Sequence, residues 1–153
     1  MIQEGLAELG LTIVKAVRDR FDGAFRNPWN EFECGSNYAR SMSSYSLLSA
    51  LSGFSCDMTK KEISFAPATA DGDCEFFFSL DSGWGLLKRK GKTYSVKVLY
   101  GSLELNSILL PLSKEPISAD LNGETVDFKT EANRVCFHKA VHLTPGTTLS
   151  ITF

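Results

Sequence analysis

The sequence has no C-x-x-C pair, no apolar run long enough to cross a bilayer, no internal repeat and no low-complexity stretch. Each absence removes a class of protein. Four cysteines (Cys34, Cys56, Cys74 and Cys136) are spread thinly over 153 residues. A disulfide scaffold is denser, and a zinc knuckle sets its ligands in close pairs. Reduced, mostly buried thiols are therefore expected. A transmembrane helix needs about 18 consecutive apolar residues, so no membrane span is expected. A basic excess is missing too: 16 Lys+Arg stand against 18 Asp+Glu, a formal net charge of -2. Duplex-binding domains carry a strong positive surplus, which makes nucleic acid an unexpected partner. Residues Met1 to Gly5 offer neither a basic n-region nor a long apolar h-region, so no secretory signal is read there and a cytoplasmic location is expected.

What is present describes a globular chain. Hydrophobic residues make up 43% and charged residues 22%, proportions that suit a packed domain rather than a disordered tail. A chain of about 150 residues hides roughly 68–70% of its unfolded surface, enough for an adequate core.

The hydrophobic period changes along the chain. Over residues 2–21, Leu6, Leu9, Ile13, Val17 and Phe21 recur at spacings of three and four, the mark of an amphipathic helix. Lys15, Arg18 and Arg20 gather toward its C-terminal end, where cations suit the helix dipole. Asp22-Gly23 then stops it. Residues 24–37 have no single period and contain Pro28 and Gly35, so they read as an ordered loop. Ser36 or Asn37 is placed to cap a second helix over 38–52, with Tyr38, Met42, Tyr45, Leu48 and Leu51 as its apolar residues and Gly53 as its stop. From about residue 61 the period becomes two. Ile63 and Phe65, then Tyr94, Val96, Val98 and Tyr100, then Val126 and Phe128, Val135 and Phe137, and Leu149, Ile151 and Phe153 alternate with polar neighbours. Turn residues at Asp81-Ser82-Gly83, Lys90-Gly91, Asn122-Gly123 and Thr144-Pro145-Gly146 break these runs into antiparallel strands. The expected fold is α+β: two N-terminal helices over residues 1–57, followed by an antiparallel β-sandwich-like domain of seven to nine strands over 58–153. Two helices joined by a loop are not a complete α domain, so they are expected to pack on the sheet, on a second copy, or on polypeptide upstream.

The loop concentrates chemical groups. Residues 25–42 pack carboxylates, guanidinium groups, amides and hydroxyls around Trp29 and several other aromatics. A sugar site needs this mixture, because ring faces stack on the C–H face of a pyranose while charged groups fork onto adjacent hydroxyls. Glu31 on the loop and Arg40 in the first turn of the following helix are placed to approach one ligand from two sides. The same spacing also suits an Arg–carboxylate pair that ties loop to helix.

The stretch Arg26-Asn27-Pro28-Trp29-Asn30-Glu31-Phe32-Glu33-Cys34-Gly35-Ser36-Asn37-Tyr38-Ala39-Arg40-Ser41-Met42 resembles the segment near the end of the catalytic domain in glycoside hydrolase family 116. That family holds β-glucosidases and the non-lysosomal glucosylceramidases. The resemblance extends over about residues 5–67, and the joint N-P-W-N-E-x-E-C-G and Y-A-R-S-M pattern is more specific than a lone glycine fingerprint. It implies that the two helices are the end of an (α/α)6 barrel whose remainder lies upstream. It implies glucose-binding roles for Glu31 and Arg40 and a glucoside or glucosylceramide-like substrate, while Trp29, from the mixture of groups around it, is a possible sugar-stacking ring. The family is retaining, with a nucleophile and an acid/base about 5–5.5 Å apart. Both lie upstream of this segment in the family, so no catalytic residue is expected in this chain. No cofactor or metal is implied, and the chain alone is expected to be inactive. Exposed helix faces (Leu6, Ile13, Leu48) would favour a homo-oligomer. The alternative reading is a stand-alone carbohydrate-binding or protein-interaction module.

Other groupings rank lower. Glu31 and Glu33 share a face if the loop is extended, but a local pair leaves no room for a sugar between opposed carboxylates. Cys136, His138 and His142 form C-x-H-x-x-x-H, which suits zinc on a helix and not in a strand-rich region. Asp71-Gly72-Asp73-Cys74-Glu75 lacks the longer loop and final bidentate Glu of an EF-hand and reads as a solvated turn. No serine has a base at useful spacing. Lys88-Arg89-Lys90-Gly91-Lys92 reads as a solvated basic hairpin. Trp84, between Gly83 and Gly85, is expected as a buried strand aromatic rather than an exposed sugar platform.

Overall fold

The computed structural model describes residues 1–21, 23–24, 44–68, 72–111 and 115–153, the side chain of Phe21 excepted. The fold is α+β, and the chain divides into two compact units, Met1–Leu51 and Ser52–Phe153.

In the first unit, the amphipathic pattern over 2–21 is broken into three pieces. A 3-10 turn at Ile2–Glu4 precedes helix α1 (Ala7–Arg18), and a second 3-10 turn covers Asp19–Phe21. Gly5 ends the first turn at φ 81°, a left-handed conformation that glycine adopts without steric cost. This reversal folds Ile2 back onto α1, where it is buried. Gly10 receives it: a side chain at that position would meet the Ile2 Cγ1 atom. Lys15 pairs with Asp19 at 2.6 Å one turn on. Helix α2 runs over Tyr45–Ser52. Residues 38–43 of the expected second helix, with its cap at Ser36 or Asn37, lie outside the described residues.

The second unit holds eleven strands among the described residues: β1 (Ser55–Asp57), β2 (Glu62–Ser64), β3 (Cys74–Leu80), β4 (Gly83–Lys90), β5 (Thr93–Gly101), β6 (Leu103–Leu109), β7 (Ser118–Leu121), β8 (Glu124–Thr125), β9 (Phe128–Glu131), β10 (Arg134–Leu143) and β11 (Thr148–Thr152). The excess over seven to nine comes from short pieces such as β1, β2 and β8, too brief for a period of two to register. One sheet has the order β1-β2-β6-β10-β9 and the other β3-β4-β5-β11-β7-β8. All pairings are antiparallel except β2 with β6. Side chains from both sheets meet in one core: Ile63, Leu105, Ile108, Val135 and Leu143 from the first, Phe78, Leu87, Val96, Val98, Leu149 and Ile151 from the second, with Phe65 among them. Phe65 packs edge-on against both Phe76 and Tyr94. Burial of that many apolar side chains is the main stabilising term of such a unit.

The turns follow the sequence. Asn122 (φ 54°) and Gly123 (φ 87°) are both left-handed, the geometry of the hairpin turn that joins β7 to β8. The Asp120 carboxylate accepts the Gly123 N–H, and the Asn122 side-chain amide oxygen Oδ1 accepts the Thr148 N–H. Arg89 departs from the solvated hairpin expected for its basic run. It is buried, and its Nε and Nη2 donate to the Gly72 carbonyl oxygen at 2.9 and 2.6 Å.

Candidate functional site

Trp29, Glu31 and Arg40, the residues the sequence singles out for sugar binding, lie outside the described residues, as does the Glu31/Glu33 pair. What the structure describes is the two helices that bracket them. The apolar stripe of α1 is exposed: Leu9 is 50% and Ile13 44% accessible, and Leu6, Leu11, Val14 and Val17 are exposed as well. On α2, Tyr45 and Leu48 are also exposed. A helix that carries such a stripe buries it in a finished fold.

In the second unit, the outward face of the first sheet carries a polar network. Glu62 on β2 stands beside Ser107 on β6, which stands beside Cys136 on β10. The Glu62 carboxylate accepts the Ser107 hydroxyl at 2.6 Å and the Arg134 Nε–H at 2.7 Å. Burial pushes the Glu62 carboxyl up, but the Ser107 hydroxyl and the Arg134 guanidinium outweigh it and hold it below the usual glutamate range. For Cys136, burial and the nearby Glu131 carboxylate push the thiol up, away from the thiolate a nucleophile needs. The network is thus a brace across three strands. A second pairing joins Lys61, in the turn before β2, and His142 on β10 to Glu104 on β6.

Three expectations are corrected here. Cys56 is exposed, and Cys74 and Cys136 are half-buried: Cys56 lies on the short strand β1, Cys136 stands beside Ser107, and Cys74 packs at the margin of the core where β3 begins. Trp84 is not a buried strand aromatic: it is 41% exposed on the outward face of β4. Tyr100 does not continue the inward run of Tyr94, Val96 and Val98. A bulge at Leu99 pairs Gly85 with Val98 and Trp84 with Tyr100. The extra residue turns Tyr100 to the outward face, where it is 61% exposed. Its ring stacks on the indole with centroids 4.3 Å apart and planes 17° from parallel. Nothing local in the sequence marks the bulge except the glycines around it, Gly83, Gly85 and Gly101.

Among the described residues, no cluster of three or more His, Cys, Asp or Glu side chains is placed to hold a metal ion. Both histidines lie on β10, His142 against Glu104. No described helix is long and apolar enough to cross a membrane. No protein-family profile matches the chain, and no curated protein is found similar to it.

Proposed function

We propose that the chain is the C-terminal part of a retaining β-glucosidase or glucosylceramidase-like glycoside hydrolase. In this reading it supplies sugar-binding groups and leaves bond cleavage to carboxylates on polypeptide upstream. The observation that carries the reading is the run Asn27-Pro28-Trp29-Asn30-Glu31 followed by Tyr38-Ala39-Arg40-Ser41-Met42. Glu31 and Arg40 grip hydroxyls of the glucosyl ring, and Trp29 stacks on its C–H face. Orienting the sugar in this way lowers the entropic part of the barrier for the groups that cleave it. The exposed stripes of α1 and α2 support the reading, because the last helices of an (α/α)6 barrel bury those faces against the rest of the barrel. An extra copy of the chain would cover the same faces when the barrel is absent, giving a homo-oligomer.

Two measurements test this. The pure chain is expected to release no nitrophenol from nitrophenyl β-glucoside, because no catalytic pair is present; turnover would refute the reading. In calorimetry, glucose is expected to bind the chain, with the heat reduced in Glu31→Ala and Arg40→Ala. Equal heats in the variants and the parent chain would remove both residues from the site.

A further inference from the structure

The Trp84–Tyr100 stack is an exposed pair of aromatic rings on strands β4 and β5, distant in sequence from the loop between the helices. Phe78, Leu87, Val96 and Val98 on strands β3 to β5 are buried in the core. The opposite face of the same strands carries Phe77 beside Leu86 and Ser79 beside Trp84, which in turn pairs with Tyr100. Phe77, Trp84, Leu99 and Tyr100 are exposed and Leu86 is half-buried. Tyr100 covers the indole from the β5 side. On the β3 side the directly paired residue is Ser79, whose small side chain cannot cover the other ring face.

The arrangement is costly to build. Gly101 holds φ 75°, a region that side chains rarely enter. A side chain at Gly85 would run into the Lys97 carbonyl oxygen, and one at Gly101 into the Ser82 carbonyl oxygen. The bulge at Leu99 gives up a regular register and leaves two large aromatics in water, where a regular strand would have turned Tyr100 inward. Bulges of this kind re-aim a side chain where a surface has work to do.

We propose that the free face of the Trp84 indole, backed by Tyr100 and bordered by Ser79 and Phe77, binds one hexopyranose ring of a β-linked glucan chain. Stacking on Tyr100 fixes the indole, so little side-chain entropy remains to be lost on binding. A pyranose with equatorial hydroxyls offers a flat C–H face to the ring and turns its hydroxyls outward, toward the Ser79 hydroxyl on one side. The surroundings match that two-faced ligand: the next rows carry the Glu75–Lys88 ion pair at 2.6 Å and the exposed Lys97. A protein partner is a poorer fit. A stable protein interface takes roughly 20–30 residues a side, and this patch is five apolar side chains with charges at its border.

Affinity electrophoresis of the full chain through gels containing soluble mixed-linkage β-glucan tests the proposal. The parent chain is expected to be retarded by the glucan. Trp84→Ala is expected to weaken the retardation by about tenfold or more, the scale of losing one aromatic stacking contact. Tyr100→Phe is expected to keep it, and Tyr45→Ala, an exposed tyrosine on α2, to leave it unchanged. Thermal unfolding shows which variants retain the fold, and Trp84→Thr, a strand-compatible substitution expected to weaken the retardation in the same way, carries the test if Trp84→Ala does not fold. Three results overturn the proposal: no retardation of the parent chain, equal retardation of a folded Trp84→Ala or Trp84→Thr, or loss of retardation in Tyr100→Phe. Sedimentation at the same concentrations adds a fourth. If the parent chain self-associates and Trp84→Ala does not, the patch is an interface between copies.

Discussion

Helix α1 and strand β5 are both amphipathic, yet one leaves its apolar side chains in water and the other buries them. Leu9 and Ile13 of α1 are exposed, whereas Val96 and Val98 of β5 lie in the core of the second unit. The β unit finds its partners within itself, because two sheets supply two faces to one core. Among the described residues, the stripe of the helical unit meets no apolar face, apart from Ile2 against Gly10. Apolar pattern therefore reports what a segment is made to meet, whether or not the described residues supply the partner.

The sharpest break of that comparison is a matched pair of truncations. Phe65→Ala removes a fully buried ring of the β core and is expected to cost about 3–5 kcal/mol. Leu9→Ala on the exposed stripe is expected to change the stability of the monomer, at concentrations too low for self-association, by no more than about 0.5 kcal/mol. Urea unfolding of the two variants measures both, and similar losses would show that the α1 stripe is covered in solution.

A smaller effect is expected from Gly85→Ala. Its side chain would collide with the Lys97 backbone oxygen, and overpacking of this kind costs about 1–3 kcal/mol. The same variant disturbs the register that sets Tyr100 beside Trp84. Loss of the stacked-ring signal in near-ultraviolet circular dichroism is expected alongside the lowered stability.

An effect of comparable size belongs to the Glu62 brace. Its carboxyl is held below its ordinary value of 4.5 in the folded protein, so the folded state binds its proton less readily than the unfolded chain does. The stability it contributes is fully present above the ordinary glutamate range and is lost as pH falls through the lowered folded value. Asp57, held at about 2 by hydrogen bonds from Lys60 and Thr59, adds to the loss on the same side. Glu62→Ala is expected to cost about 1–3 kcal/mol at neutral pH through the hydrogen bonds it removes. It is also expected to flatten the acid limb of the stability profile. An acid limb unchanged from the parent chain would show that the brace contributes nothing.

Local rules carried much of the fold. Asn122-Gly123 marked a hairpin because both residues tolerate positive φ, and the structure has both there. The alternation of Tyr94, Val96 and Val98 marked a strand with one buried face. Tyr100 escaped the same rule because a bulge is decided by pairing with β4, a contact distant in sequence. Arg89 looked like part of a solvated basic run until a carbonyl from residue 72, distant in sequence, proved to be its partner. Gly10 gave no sign that it receives Ile2, since that contact depends on the reversal at Gly5. Trp29, Glu31 and Arg40 were legible as a motif, from residue types and order alone, and the described residues reach only the helices on either side.

The central claim is that the segment between those helices grips glucose. Two-dimensional amide NMR of the chain, titrated with glucose, reads it directly. The account predicts shifts concentrated at residues 29–40 in the parent chain and abolished in Glu31→Ala. Shifts that leave residues 29–40 untouched, or that persist unchanged in Glu31→Ala, would contradict it.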